Sequence, residues 1–193
     1  AQLSGASITG DGSVSVSALD DTANADLGSI GASVSLTASV SLAEGETVSF
    51  IGDLGSAAVT ISTAGDGTDE IFNVDGATMG TATFTVNSGA TLQGTTVKLT
   101  GVTAAGDGIV AVTALHATPN ADLSGIDATT TTAAFDGTAT FTGTLDGAVV
   151  TVGDTFTMTA AANKVAGETI NKTGTGKLAV EVGTADAAVD LSS

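Results

Sequence analysis

The sequence predicts an all-β chain wound as a parallel β-solenoid repeat array. Three observations carry that prediction: a long segment recurs, short runs alternate apolar with hydroxyl residues almost end to end, and helical periodicity is nearly absent. GDGSVSVSALDDTANADLGSI at residues 10–30 returns as GDGIVAVTALHATPNADLSGI at 106–126, and in weaker form as GTGKLAVEVGTADAAVDL at 174–191. No gap is needed within each match. Self-similarity of this kind marks an array of like units, each packed only on its neighbours.

Along the chain, strand signals fall at 13–17, 34–37, 47–51, 81–86, 95–99, 139–142 and 155–158, where Val, Leu, Ile or Phe alternates with Ser or Thr. Period-two alternation places the apolar residues on one face and the hydroxyls on the other. Gly, Asp and Asn punctuate these runs, as turns with positive φ or Asx bonds require. Ala160–Lys164 is at most one helical turn. Ala and Val dominate the apolar 42% and only six Phe supply bulk, so the expected interior is narrow and filled by small side chains. Apolar content at this level separates the chain from the signature of intrinsic disorder.

Tandem immunoglobulin-like β-sandwiches are the alternative, because the first repeat offset of 96 (106 minus 10) is close to the size of one such domain. The second offset is only 68 (174 minus 106). A sandwich cannot lose that difference without losing whole strands, whereas a solenoid can drop a turn and restack. FIGDLGSAAVTI at 50–61 aligns with FTGTLDGAVVTV at 141–152, and TFTV at 83–86 with TFTM at 155–158. The two alignments leave residues 63–81 over, and we read these as an inserted coil. The expected organisation is one continuous array over 1–193, with units of about 8–103 and 104–171, a partial unit at 172–193 and the extra coil at 63–81.

Neither end resembles a cap. The expectation is a piece of a longer array or a subunit that stacks end to end, with junctions near Ala1–Ile8 and Leu178–Leu191, where open strand edges can pair with a neighbour.

Composition excludes several classes of function. There are 21 acidic residues against four Lys and no Arg, and the formal net charge is −17. Such a surface repels a phosphate backbone, so no nucleic-acid partner is expected. Absence of Cys removes disulfides, thiolate metal sites and Cys nucleophiles. No apolar run approaches the ~20 residues of a membrane-spanning helix, so membrane insertion is not expected. His116 is the sole imidazole, and its counterpart in the other repeat is Asp20, which marks a variable surface position. With one His and no Cys, Arg or Tyr, nucleophilic triads and phosphoryl-transfer sites cannot be assembled, and an enzyme is not expected.

The pattern GxGxVxVxxL followed by N-A-D-L-x-x-I resembles the Ala/Gly/Thr/Val-rich tandem repeats of very large secreted and surface proteins of bacteria, adhesin or S-layer-like, and of phage fibre proteins. The resemblance covers nearly the whole chain and is compositional. It implies an extracellular, cell-surface or virion-surface protein without enzymatic activity, working in a fibre, filament or surface coat. Its partners would be further copies, adjoining repeats of a longer chain, or a surface receptor or polysaccharide.

Residues 64–72, AGDGTDEIF, resemble the RTX nonapeptide G-G-x-G-x-D-x-U-x, with Ala64 in place of the first Gly and Gly65, Gly67, Asp69 and Ile71 matching. The resemblance implies a calcium site at Asp66, Asp69 and Asp75, since calcium takes six to eight oxygens. No second complete nonamer follows, and the bland reading is a solvated acidic turn; the cofactor expectation is therefore none, or calcium. The Asn24-Ala25-Asp26-Leu27 and Asn120-Ala121-Asp122-Leu123 segments read as structural: Leu points inward while the polar side chains bond a turn. Thr-x-Thr runs such as Thr138–Thr142 and Thr155–Thr157 raise a minor alternative, an ice-binding solenoid, which needs Thr in matched ranks on successive coils.

Overall fold

The computed structural model describes residues 4–20, 24–64 and 69–182. Fourteen strands appear among them: β1 (Gly12–Val16), β2 (Val34–Leu42), β3 (Thr47–Ser49), β4 (Ala58–Thr63), β5 (Glu70–Asn73), β6 (Thr83–Val86), β7 (Ala90–Thr95), β8 (Thr103–Thr113), β9 (Ile126–Phe135), β10 (Ala139–Phe141), β11 (Val149–Val152), β12 (Thr157–Ala161), β13 (Ile170–Lys172) and β14 (Lys177–Glu181). Two single helical turns, α1 (Thr96–Leu99) and α2 (Ala162–Val165), follow β7 and β12. Every strand pairing is parallel. A sandwich is built from antiparallel neighbours, so the chain is a β-solenoid, of about 8 turns.

The turns are read from the ladder. β1 lies in the first described turn, β2–β3 in the second, β4–β5 in the third and β6–β7 with α1 in the fourth. β8 fills the fifth, β9–β10 the sixth, β11–β12 with α2 the seventh and β13–β14 the eighth. β8 bends round a corner and serves two ladders: Thr103–Ala105 pair with β6, and Ile109–Thr113 pair with β7. The corner is at Gly106, with φ +120° and room for no side chain, since a Cβ there would meet the carbonyl oxygen of Val86 at 2.3 Å. One eleven-stranded sheet therefore wraps the axis, and β10-β12-β14 form a separate three-stranded one.

Alternation explains the core. β2 reads buried and exposed in strict turn, with Val34, Leu36, Ala38, Val40 and Leu42 inward. Inward residues then stack in ranks from turn to turn. One rank runs Ala38, Val59, Phe84, Ala104 and Ile126, all buried. The bulk of Phe84 is offset by Ala104 above it, which keeps the spacing between turns near the ~4.8 Å of a parallel ladder. Val48, Phe72, Leu92 and Val110 form another rank, with Phe50 and Phe72 tilted against each other at 5.8 Å between centroids. Burying each such side chain contributes about 1.5–3 kcal/mol.

Backbone geometry repeats with the sequence. Ala18 and Ala114 both adopt φ +53°, an unusual left-handed conformation for Ala, just before the buried Leu19 and Leu115. Gly52 and Gly143 each pass so close to the preceding turn that a Cβ would sit 2.0 Å from a carbonyl oxygen, of Ala25 and Ala121 respectively.

Two expectations are corrected. Residues 95–99 were expected to be strand, but Thr96–Leu99 is a helical turn: Thr96 and Leu99 are buried while Val97 is 64% exposed. Strand geometry would put Val97 and Leu99 on one face, whereas a spacing of three buries Thr96 with Leu99. The alignment of TFTV at 83–86 with TFTM at 155–158 also fails, because β6-β7-α1 corresponds in order to β11-β12-α2 and TFTM runs into β12. By this order the first repeat holds one turn more than the second.

Candidate functional site: acidic corners and open edges

Acidic residues are concentrated where the chain turns; β2, β4, β6, β7, β10, β11 and β12 carry no charge at all. Most of the corner carboxylates bond backbone N–H groups, so their first role is architectural. The Oδ1 atoms of Asp26, Asp53 and Asp122 accept from the N–H two residues on, at 3.0, 2.8 and 3.0 Å. These are Asx turns. The bonds that Ser124 gives, side chain and then backbone, hold the Asp122 carboxyl below its ordinary range. Leu27 and Leu123 are buried beside them; the corresponding Ala188, Asp190 and Leu191 lie outside the described residues.

Other acids tie one turn to the next. Asp20 Oδ1 accepts from Ser41 N at 3.0 Å. Asp154 Oδ1 accepts from Thr175 N and Oγ1 at 2.7 and 2.8 Å, which lowers its pKa. Glu168 Oε2 accepts from Gly147 N at 3.0 Å, yet its pKa is raised, because desolvation outweighs that bond and Asp146 adds repulsion. His116 occupies the corner position that Asp20 holds in the first repeat. Its Nδ1 lies 2.6 Å from Asp136 Oδ1 in the next turn, and its ring packs edge-on against Phe135.

Of the three expected calcium ligands, Asp66 lies outside the described residues. Asp69 is exposed, immediately before β5. Asp75 follows β5, where its Oδ1 accepts from Thr95 N in the next turn and its own N–H bonds Asn73 Oδ1 at 2.8 Å. Asp69 and Asp75 thus stand at opposite ends of β5. Among the described residues no three or more His, Asp or Glu converge on one point.

Glu70 was not singled out from the sequence. It faces inward on β5, fully buried, and neither carboxylate oxygen has a hydrogen-bond partner among the described residues. The signal was available: Glu70 shares the inward parity of Phe72, which the hydrophobic alternation identifies as core.

The outward faces are hydroxylated. Thr37, Ala58, Thr83 and Thr103 form one exposed rank, and Ser39, Thr60 and Thr85 the next. The Thr-x-Thr runs noticed in the sequence lie on the three-stranded sheet, where Thr140 pairs with Thr159 rather than Thr157. A groove of about 620 Å³ beside α1 is lined in part by Met79, Val97, Lys98 and Val102, and the Lys98 ammonium donates to the Ala77 carbonyl at 2.5 Å.

The strand edges complete the site. Among the described residues β1 pairs only with β2, β13 only with β11 and β14 only with β12. Leu178 and Val182, at 39% and 67% exposure, are large apolar residues left open at the β14 end. Of the expected junctions, residues 4–8 and 178–182 are described, while 1–3 and 183–191 lie outside the described residues. No helix among the described residues is long and apolar enough to cross a membrane. This geometry defines the class, a parallel β-solenoid with acidic corners. Comparison with protein-family models, with characterised proteins and with solved structures returns no match.

Proposed function

We propose that this chain works mechanically, as a non-enzymatic element of an extracellular fibre, filament or surface coat, on a cell or a virion, built by stacking β turns. The observation that carries the reading is that, among the described residues, β1 pairs only with β2 and β14 only with β12. A parallel ladder offers the same N–H and C=O groups at every turn, so an open edge is a template for the next turn, whether from another copy or from adjoining repeats. Strands that are mostly free of charge, and acidic corners, support it, since the corner charge keeps rods apart laterally while leaving the ends free to pair. Electron microscopy and sedimentation of the 193-residue chain test the reading. Concentration-dependent filaments or end-to-end oligomers are expected; a chain that stays a short monomeric rod at all concentrations would remove the stacking role.

A calcium-dependent adhesive module centred on residues 64–75 is the second reading, and buried, unpartnered Glu70 is the observation that favours it. A hard cation would satisfy a carboxylate that no described residue does. Thermal unfolding in calcium and in chelator, for wild type and Glu70→Gln, decides. Calcium stabilising wild type but not Glu70→Gln supports the site; no calcium effect on wild type dismisses it.

A further inference from the structure

The turns holding β1 and β14 match one another in sequence, and among the described residues each pairs on one side alone, the opposite side in the two. The sequence match 10–27, 106–123 and 174–191 makes Val14, Val110 and Leu178 equivalent, and likewise Val16, Val112 and Val180. The structure places them alike: Val110 is stacked on Leu92 of the preceding turn, and Leu178 on Met158. Gly106, at the corner within β8, and Gly174, three residues before β14, both have positive φ. In the fifth turn both sides are covered, by β7 below and β9 above, and Val110 and Val112 are 0% and 2% exposed. In the eighth turn β14 pairs, among the described residues, with the lower neighbour alone, and Leu178 is 39% exposed. In the first, β1 pairs, among the described residues, with the upper neighbour alone, and Val14 and Val16 are only partly buried.

We infer that copies of this chain join through one shared turn, with β14 of one copy taking the place of β1 on β2 of the next. The inference rests on the stacking role proposed above and specifies its partner, a second copy, and its register. Val14 and Val16 sit opposite Leu36 and Ala38 within the chain, so Leu178 and Val180 come to lie on those same residues. Leu178 fills the site at least as well as Val14, and Val180 repeats Val16. One ladder is gained for each one released, and the released turn recovers its chain entropy. Abutting the two turns without exchange would stack two copies of the same turn type, a junction found nowhere among the described turns, where the β8 turn is followed by the β9 turn.

The two modes separate in a single set of measurements on the full chain. Shared-turn joining gives seven turns per copy, an axial repeat of about 34 Å at ~4.8 Å per turn; abutment gives eight turns, about 38 Å. Leu178→Lys, with circular dichroism unchanged, should abolish assembly, because it charges the edge that docks. Val16→Lys should leave assembly intact or increase it, because it weakens only the turn that is displaced. Filaments in wild type that Val16→Lys blocks, or that Leu178→Lys leaves unaffected, would overturn the exchange while leaving the stacking role standing. A wild-type chain that never assembles would overturn both.

Discussion

Gly52→Ala tests the close stacking of turns most directly. Gly52 is not in a left-handed conformation, so the substitution adds only a methyl group, and that methyl would lie 2.0 Å from the Ala25 carbonyl oxygen. Real Cβ atoms do not approach closer than 3.0 Å, so the second turn must move off the first by about 1 Å against a spacing of ~4.8 Å. The bond from Asp53 N to Ala25 O, now 3.0 Å, then passes out of hydrogen-bond range, and the return bond from Leu27 N to Asp53 O, 2.8 Å, is strained with it. Leaving a backbone group unsatisfied costs about 1–3 kcal/mol, which puts the total at about 2–5 kcal/mol. Gly143→Ala, 2.0 Å from the Ala121 oxygen, should cost the same. Gly45→Ala is the control: its φ is +68° but its surroundings are open, so only the left-handed backbone matters, about 1–2 kcal/mol. Urea unfolding followed by far-UV circular dichroism is the assay, since the chain has neither Trp nor Tyr. A loss below about 1 kcal/mol at both glycines, with unchanged denaturant slope, would refute the argument that carbonyl contact sets the spacing.

Ala18→Gly and Ala114→Gly should each stabilise by roughly 0.5–1 kcal/mol, because Gly accepts φ +53° without the Cβ clash; a loss in urea midpoint at both would show that the methyl groups pack usefully. Glu168→Gln probes the raised carboxyl. A raised folded pKa means that the native state holds the proton more tightly than the unfolded chain, so this group favours folding in acid and the benefit fades as pH rises through the folded pKa. Gln keeps an acceptor for Gly147 N–H and removes the repulsion from Asp146, so the variant should exceed wild type at neutral pH and lose that advantage below the ordinary Glu range; urea midpoints across pH check it. Asp154 has the opposite sign: its lowered pKa gives stability above the ordinary Asp range that is lost as pH falls through the folded value. Asp154→Ala should flatten that acid limb, and an unchanged pH profile would count against the Thr175 bonds as its cause.

Strands with clean alternation were legible in the sequence, and so was the parallel array, because the unequal repeat offsets favour turns over closed domains. β8 and β9 were harder to see, since their inward pattern crosses a corner at Gly106 that reads as a break, and the ladder shifts register between Gly106 and Ile109. α1 was missed because TVKL fits a strand by propensity, and only the neighbouring turns decide that Thr96 and Leu99 face inward together. The acidic loop was read from the spacing of its motif. Asp75 serves the backbone of the next turn, and the group with no partner is Glu70, one residue from the Asp that the motif selects. Motif spacing counts residues, whereas burial follows parity along the strand.

The turn-to-turn ladder has a mechanical consequence. All its hydrogen bonds run along the solenoid axis, so a pull applied along that axis loads them one turn at a time rather than together in shear. Each turn holds about 20 residues, judged by side-chain bonds between adjacent turns that span 17 to 23 positions. Peeling one turn frees roughly 70 Å of chain at ~3.3–3.6 Å per residue. A rod of this kind behaves as a stepwise extensible tether, yielding length one turn at a time at modest force and rewinding against the turn that still stands.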